Sequence, residues 1–560
     1  MHNINLFKDY ENANLLTVED YREEHPGTTY CFDQLGEQDV EGIPVCLTRD
    51  TEGRLQCTFI PDGHVLGIGA TRSGKTTGFV LPTVHTMLNK KNKPSMVISD
   101  PKQELYCATA EEFRKNGYRV LLLDFTDYTH SDCWNPLVKC YRAYRLYSKV
   151  EDEVGLTATP NGMRNTFRGK VYEDQGELER DIREVKEIYY NVAEKEIEFL
   201  RQTVFSAQNE KDPFWVDSAR DLFAAILYGM LEDSELGFIT EKTFSFDTVL
   251  RIFDAFTDSA KDYDGGYFVN RDHKTSKAYQ IAHKCVIEQA DTTRRCISSE
   301  FATKINKFRD TAVRRITCTN SFELSELDDG APTVIFVSYK DEESLHYDVI
   351  SMFLTDLYSE LIEVARKKGG MLSRPFYFML DEFGNLPKFA DFEKVISACG
   401  GRNIWFLLIL QSYAQLNNVY GKETAEIIKD NLNTHIFFGT NNPQTKREFS
   451  EECGKKTVIA PTSALNGEGE SVVRYDKDTV ALVPVSALAR LKPGECVVTQ
   501  MREDVLWSWL ERSYLCEEFR VECASPKEHK APVMFMSEEY RYNPSKHRKV
   551  PTDVEMLFIY

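Results

Sequence analysis

Short apolar runs alternate with longer amphipathic stretches over two separate parts of this chain. In the first part the runs fall at 64–68, 95–100 and 119–125, with helical spacing at 77–88 and 101–116. In the second they fall at 333–339, 376–380, 404–410 and 435–440, with a helix predicted over 344–367. Runs that are apolar throughout, rather than at every second residue, suit strands buried on both faces. Their alternation with helices predicts an α/β fold with a mostly parallel sheet.

Between these parts, from about 140 to 320, strand signals nearly vanish. A long charged helix is predicted over 178–208, with Ile182, Val185, Tyr189 and Val192 on one stripe. Another helix starts at Asp212-Pro213 and turns Trp215, Ala219, Leu222, Phe223 and Ile226 inward. Residues 258–275 read as a loop, and 290–315 as a helix carrying Arg294, Arg295, Lys304, Lys307, Arg309, Arg314 and Arg315. That positive excess is either a solvated face or a contact for DNA or a neighbouring subunit's nucleotide. An all-α insertion at 141–325 therefore splits one sheet domain into halves at 59–140 and 326–525. A β-rich segment at 1–58 precedes it, with strands at 28–32, 44–48 and, running on past the segment, 55–60. Residues 461–477 read as a loop or hairpin, 495–501 and 506–510 as late strands, and 526–560 as a loose tail.

At 560 residues the chain exceeds one ordinary domain, and 42% hydrophobic residues are ample for its cores. The net charge of −20 argues against a broad nucleic-acid-binding surface and leaves room for a narrow basic channel inside a ring. Fourteen cysteines are scattered without C-x-x-C or zinc spacing, which suits reduced, mostly buried thiols in a cytosolic protein. No apolar run reaches transmembrane length, and the N-terminal residues lack the basic and apolar regions of a secretion signal.

The candidate chemistry sits at the ends of the apolar runs. Gly69-Ala70-Thr71-Arg72-Ser73-Gly74-Lys75-Thr76 is G-x-x-x-x-G-K-T, and Thr77 continues it into a predicted helix. Strand, glycine loop and helix let successive backbone N–H groups face one concavity, and the helix dipole adds to their pull on phosphate. Lys75 is placed to reach the β- and γ-phosphates of ATP, and the Thr76 hydroxyl to ligate Mg2+. Asp381-Glu382 ends the run at 376–380. Asp381 is assigned to the Mg2+ shell and Glu382 as general base. Gln411, at the end of the next run, either senses the γ-phosphate or orients water, or is an ordinary strand-end residue. Arg402 precedes that run and is either a surface arginine or one supplied across a subunit boundary to steady transition-state charge. Asp100-Pro101 reads both as a ligand-edge carboxylate and as an N-cap followed by an N1 proline.

With these residues in place the chain resembles the coupling ATPases of type IV secretion and conjugation, RecA-like P-loop NTPases of the TraG/TraD kind. The matching pieces are 67–77; Ser99-Asp100-Pro101-Lys102 with Glu104-Leu105; Trp134-Asn135-Pro136-Leu137; and Asp212-Pro213-Phe214-Trp215. Leu380-Asp381-Glu382-Phe383-Gly384-Asn385-Leu386-Pro387 and Leu410-Gln411-Ser412-Tyr413-Ala414-Gln415-Leu416 with Tyr420-Gly421 complete them. The resemblance implies a Mg2+- and ATP-dependent motor, assembled as a homo-hexamer, that passes single-stranded DNA with its relaxase, or effector proteins, to a type IV secretion channel. It implies a cytoplasmic position at the membrane face. Members usually begin with two transmembrane helices, which this chain lacks, so either it is a soluble subtype or, as expected here, membrane contact comes through another subunit. Gly400 and Gly401 stand near the place where members often carry an arginine. Two rivals remain: a ring translocase for double-stranded DNA, and a nucleotide-gated substrate adaptor with little hydrolysis.

Overall fold

The computed structural model describes residues 13–159, 162–205, 213–257, 266–340, 346–389, 391–465, 471–530 and 542. They form two compact units. One holds the described residues up to Leu122 together with Leu324–His529, and the other Leu123–Glu323 with those from Lys530 onward.

The first unit is built on a ten-stranded sheet. Its spatial order is Leu15–Leu16, Val505–Trp509, Glu495–Gln500, Thr434–Gly439, Val65–Gly69, Ile404–Leu410, Phe376–Leu380, Ser95–Ser99, Thr333–Ser338 and Arg119–Asp124. The six strands from Thr434–Gly439 to Thr333–Ser338 are parallel. Val65–Gly69, Ser95–Ser99, Thr333–Ser338 and Phe376–Leu380 are buried along their whole length, as their apolar centres require. Register pairs Leu380 with Ser99 and Leu408, and Leu410 with Ile68, so these strands end together along one edge. The late strands are antiparallel to their neighbours: Glu495–Gln500 against Thr434–Gly439, and Val505–Trp509 against Glu495–Gln500. Two reversals return Val505–Trp509 to the direction of Val65–Gly69.

The small sheet of Thr29–Cys31, Leu55–Ile60 and Ile43–Arg49 forms as the early strand signals predict. Residues 461–477 belong to a long hairpin, Lys455–Leu465 paired with Ser471–Ala481, whose connection at 466–470 lies outside the described residues.

The second unit is mainly helical, with Gln175–Val204 and Pro213–Glu235 as its longest helices. It is not all-α. Gly155–Thr159, Gly162–Phe167 and Lys170–Tyr172 make an antiparallel meander. These strands are short, and their apolar members Leu156, Met163 and Val171 are exposed, so no buried alternation betrays them. Phe167 and Tyr172 pack with Val150 and Leu178, and Ile182, Val185 and Tyr189 of the long helix cover the cluster. The predicted stripe thus meets a partner the sequence conceals, while its last member, Val192, stays exposed.

The unit begins earlier than the change of periodicity at 140. Trp134 N donates to Ile316 O at 2.7 Å, Asn135 Nδ2 to Phe244 O at 2.8 Å, and Cys133 N to Ser321 Oγ at 3.0 Å. The Trp134-Asn135 segment is therefore fastened to helical-unit residues, although the last element before it other than a short turn is the sheet strand Arg119–Asp124. Of the predicted loop at 258–275, residues 258–265 lie outside the described residues, and Gly266–Val269 is a short helix. The predicted tail is described only to Lys530 and at Tyr542. The basic stretch is largely neutralised, because Arg294 pairs with Asp291, Lys304 with Glu300, Arg309 with Asp254 and Arg314 with Asp247.

Among the described residues all fourteen cysteines are free thiols, no cluster of His, Cys, Asp and Glu has the shape of a metal site, and no helix is long and apolar enough to cross a membrane.

Candidate functional site

The carboxyl edge of the parallel strands gathers the predicted chemistry. Val65–Gly69 leads into the glycine loop, and Lys75 stands at the head of a π-type turn, Thr76–Val80, that opens the helix Leu81–Asn89. A Cβ on Gly69 would lie 2.5 Å from Ser73 Oγ, so the loop closes tightly only because this position has no side chain. Gly74 has φ +92°, a left-handed backbone that turns the loop toward the helix.

Asp381 and Glu382 follow Phe376–Leu380 at the same edge. Ser99 Oγ donates to the Asp381 carbonyl at 2.8 Å, tying the carboxylate strand to its neighbour. The Thr76 hydroxyl donates to Asp381 Oδ2 at 3.3 Å, and Lys75 Nζ lies 3.6 Å from Asp381 Oδ1. Burial, outweighing Lys75, raises the Asp381 carboxyl above its ordinary range, and the Glu382 charge adds to the rise. Glu382 occupies a left-handed backbone, φ +53°, that turns its side chain to Lys75. Its Oε1 pairs with Lys75 Nζ, and its Oε2 accepts from Gln411 Nε2 at 3.0 Å.

Gln411 is itself held. Its backbone N donates to Gln415 Oε1 at 2.7 Å, and its carbonyl accepts from the Thr440 hydroxyl at 2.8 Å. A Cβ on Gly384 would meet Gln415 at 2.7 Å, which is why the loop after Glu382 needs glycine there. The two sequence boxes, Asp-Glu-Phe-Gly and Gln-Ser…Gln, are thus halves of one interlocked arrangement.

Asp100 is 2% exposed. The following helix begins at Glu104, three residues later than an Asp N-cap requires, with Gln103 at the cap in a left-handed conformation. The Asp100 carboxylate nevertheless caps it from a distance, accepting from Tyr106 N at 2.7 Å. Burial pushes its pKa up to about 7, with Glu104 and Asp381 reinforcing the shift.

Lys75, Thr76, Asp100, Asp381 and Glu382 line a cavity of about 320 Å3, with Lys102 and Thr71 on its walls. The arrangement fits a magnesium nucleotide. Ser73 Oγ is buried with no hydrogen-bond partner, the loop concavity has no room for side chains at Gly69 and Gly74, and Thr76 with Asp381 offers two hard oxygens.

The sequence matches the family described as type IV secretory system conjugative DNA transfer over residues 43–475. The chain belongs to this family. VirD4 of Agrobacterium fabrum is 22% identical over 409 residues, which cover 72% of this chain and 51% of VirD4. Coupling protein TraD of Escherichia coli K12 is 22% identical over 304 residues, 53% of this chain and 40% of TraD. The chain spans about half the length of the curated relatives it matches. Among solved structures, plasmid coupling protein TrwB in complex with ADP and Mg2+ superposes with a TM-score of 0.56 at 14% identity, covering 90% of this chain and 94% of TrwB. That likeness is one of fold: a RecA-like P-loop NTPase.

Two arginines remain to be placed, one expected from the sequence and one not. Arg402 lies in the turn Gly400–Arg402, before Ile404–Leu410, and donates to Ala398 O at 2.7 Å. The seven-residue strand separates it from the P-loop edge by roughly 20 Å at about 3.3 Å per residue, so it does not join its own chain's site. Arg512, which sequence reasoning missed, does join it. A Cβ on Gly74 would lie 2.7 Å from the Arg512 guanidinium, and Arg512 Nη2 reaches Ser73 O at 3.5 Å. Arg512 is placed by the doubly reversed last strand, Val505–Trp509, which ends at the P-loop edge. Glu511 N donates to Leu47 O at 3.2 Å and Glu511 pairs with Arg49 at 3.5 Å, anchoring that end to the small sheet. The only signal in sequence was an arginine shortly after a late strand, and its value depended on strand direction.

Proposed function

We propose that this chain is an ATP-hydrolysing coupling protein that drives single-stranded DNA with its relaxase, or effector proteins, into a type IV secretion channel. The observation that carries the catalytic part is Glu382, held between Lys75 and Gln411 and beside Asp381 at the P-loop edge. Bound MgATP supplies the electrophilic γ-phosphoryl group and the divalent charge. Lys75 and the loop amides bind phosphate, and Thr76 with Asp381 would hold Mg2+. Glu382 accepts a proton from water, and Gln411 keeps its carboxylate aimed. Arg512 adds positive charge over the loop from the same chain. Arg402 is assigned to a neighbouring subunit's site, which requires a ring of heterologous interfaces, a hexamer in this reading. The helical unit recruits cargo, and membrane contact comes through another subunit.

Steady-state ATP hydrolysis with and without single-stranded DNA tests this reading. Turnover stimulated by DNA and abolished in Lys75→Ala and Glu382→Gln supports it. Nucleotide binding without turnover under every condition replaces it with a nucleotide-gated adaptor. Stimulation by double-stranded DNA alone replaces it with an intracellular duplex translocase.

A further inference from the structure

The helical unit contains a cavity of about 880 Å3, larger than the one at the P-loop and remote in sequence from it. Its floor is a built polar network. Arg271 binds Glu232 at 2.9 Å and Asp233 at 2.7 Å, the Tyr267 hydroxyl donates to Asp233 Oδ2 at 2.8 Å, and Ser276 Oγ donates to Glu232 at 2.8 Å. Gly229 makes room for Tyr267, since a Cβ there would lie 2.8 Å from the ring. One wall is aromatic: Tyr144 and Tyr147 have ring centroids 5.4 Å apart, and Tyr147 and Tyr190 5.1 Å apart. At the mouth Leu236 and Phe238 are 66% and 41% exposed.

One residue distant in sequence enters this cavity. Tyr542 is 3% exposed, and its hydroxyl bonds Asp233, so burial and that carboxylate both push its phenol upward. A cavity of about 880 Å3 is larger than a phenol ring needs and is of a size to take an extended peptide segment.

We propose that the cavity is a peptide-binding site for a tyrosine-bearing segment of a partner protein, and that Tyr542 fills its tyrosine slot in cis as a competitor. Three observations select a peptide over nucleic acid. The walls carry five carboxylates against four cations. Three of those cations are already committed: Lys186 to Glu151 at 2.7 Å, Lys277 to Glu194, and Arg271 to the floor. The mouth is apolar, as at protein interfaces, rather than basic. That the partner is transferred cargo rests on the function proposed above; the site itself does not, and its test uses no nucleotide.

The test is fluorescence anisotropy of a labelled peptide with the sequence of residues 536–548, added to the full chain. Tyr542→Ala in the chain empties the slot, and at least tenfold tighter peptide binding than to wild type is expected. The peptide carrying Tyr542→Ala should bind at least tenfold more weakly to that variant, and the Tyr542→Phe peptide several-fold more weakly. In the Tyr542→Ala background, Asp233→Asn should weaken the wild-type peptide, and so should Phe238→Ser at the exposed mouth, where folding is not at stake. Equal binding to wild type and Tyr542→Ala overturns the proposal, as does equal binding of the alanine peptide. A single-stranded oligonucleotide that gains tenfold affinity in Tyr542→Ala and displaces the peptide overturns it in favour of base stacking.

Discussion

Glu382→Gln separates the two roles the structure gives this side chain. The substitution keeps volume and the hydrogen bond to Gln411, and removes the charge that pairs with Lys75. Loss of a general base costs about 10²–10⁴ in kcat, roughly 3–5 kcal/mol of transition-state stabilisation. The pair itself is enclosed, with the Lys75 and Glu382 side chains 7% and 15% exposed. Breaking a buried pair costs about 3–5 kcal/mol when the survivor is stranded. Lys75 is not stranded, because Asp381 remains at 3.6 Å, so the nucleotide-free protein should lose about 1–3 kcal/mol. Phosphate must compete with Glu382 for Lys75, so removing that competition strengthens nucleotide binding. The variant should therefore melt earlier without nucleotide, gain more from it, bind a fluorescent ATP analogue several-fold more tightly, and turn over at least a hundredfold more slowly. Thermal melts, analogue titration and phosphate release read these four effects, the melts reading the first two. A kcat within tenfold of wild type refutes the general-base assignment. Unchanged nucleotide affinity refutes the competition between carboxylate and phosphate.

Gly74→Ala forces a left-handed backbone on alanine and drives its methyl into Arg512, at a strain of about 1–3 kcal/mol. ATP-analogue affinity should fall at least tenfold, and Arg512→Ala should restore only part of it, since the φ requirement survives; full recovery in the double variant shows that contact, not backbone, was the obstacle. The buried Asp100 carboxyl has a folded pKa of about 7 against 3.8 in its unperturbed form. The folded state thus holds the extra proton between those values. Stability from this group is complete below pH 4 and is lost as pH rises to 7, at up to about 1.4 kcal/mol per pH unit. Urea unfolding of Asp100→Asn should lack that slope; a slope equal to wild type assigns it to another group. Arg402→Ala and Lys75→Ala should each be inactive alone and regain ATP turnover when mixed, since each chain supplies what its neighbour lacks; a mixture as inactive as its parts removes Arg402 from the site.

Much of this protein is legible in its sequence because the decisive information is local. Apolar runs at 65–69, 95–99 and 376–380, short and bounded by turn residues, read as strands covered on both faces and are so, and the glycines, Lys75 and Thr76 form their loop from contiguous residues. Strand ends then place Asp381-Glu382 and Gln411 at one edge, because parallel strands must all finish on the same side. What the sequence hides are relations between distant segments. The meander at 155–172 is too short to show periodicity, and the long helix covers the cluster it builds. Lys75 and Glu382 are 307 residues apart, and their pairing follows from sheet order. Arg512 reaches the P-loop, and Arg402 does not, because strand direction sends one to the carboxyl edge and the other to the opposite end. Tyr542 meets Asp233 through tertiary packing alone. Local spacing fixes which elements form and which loops can cradle phosphate. Only closure of the chain over long separations decides which charges meet, because that depends on strand order, direction and burial rather than on any neighbour in sequence.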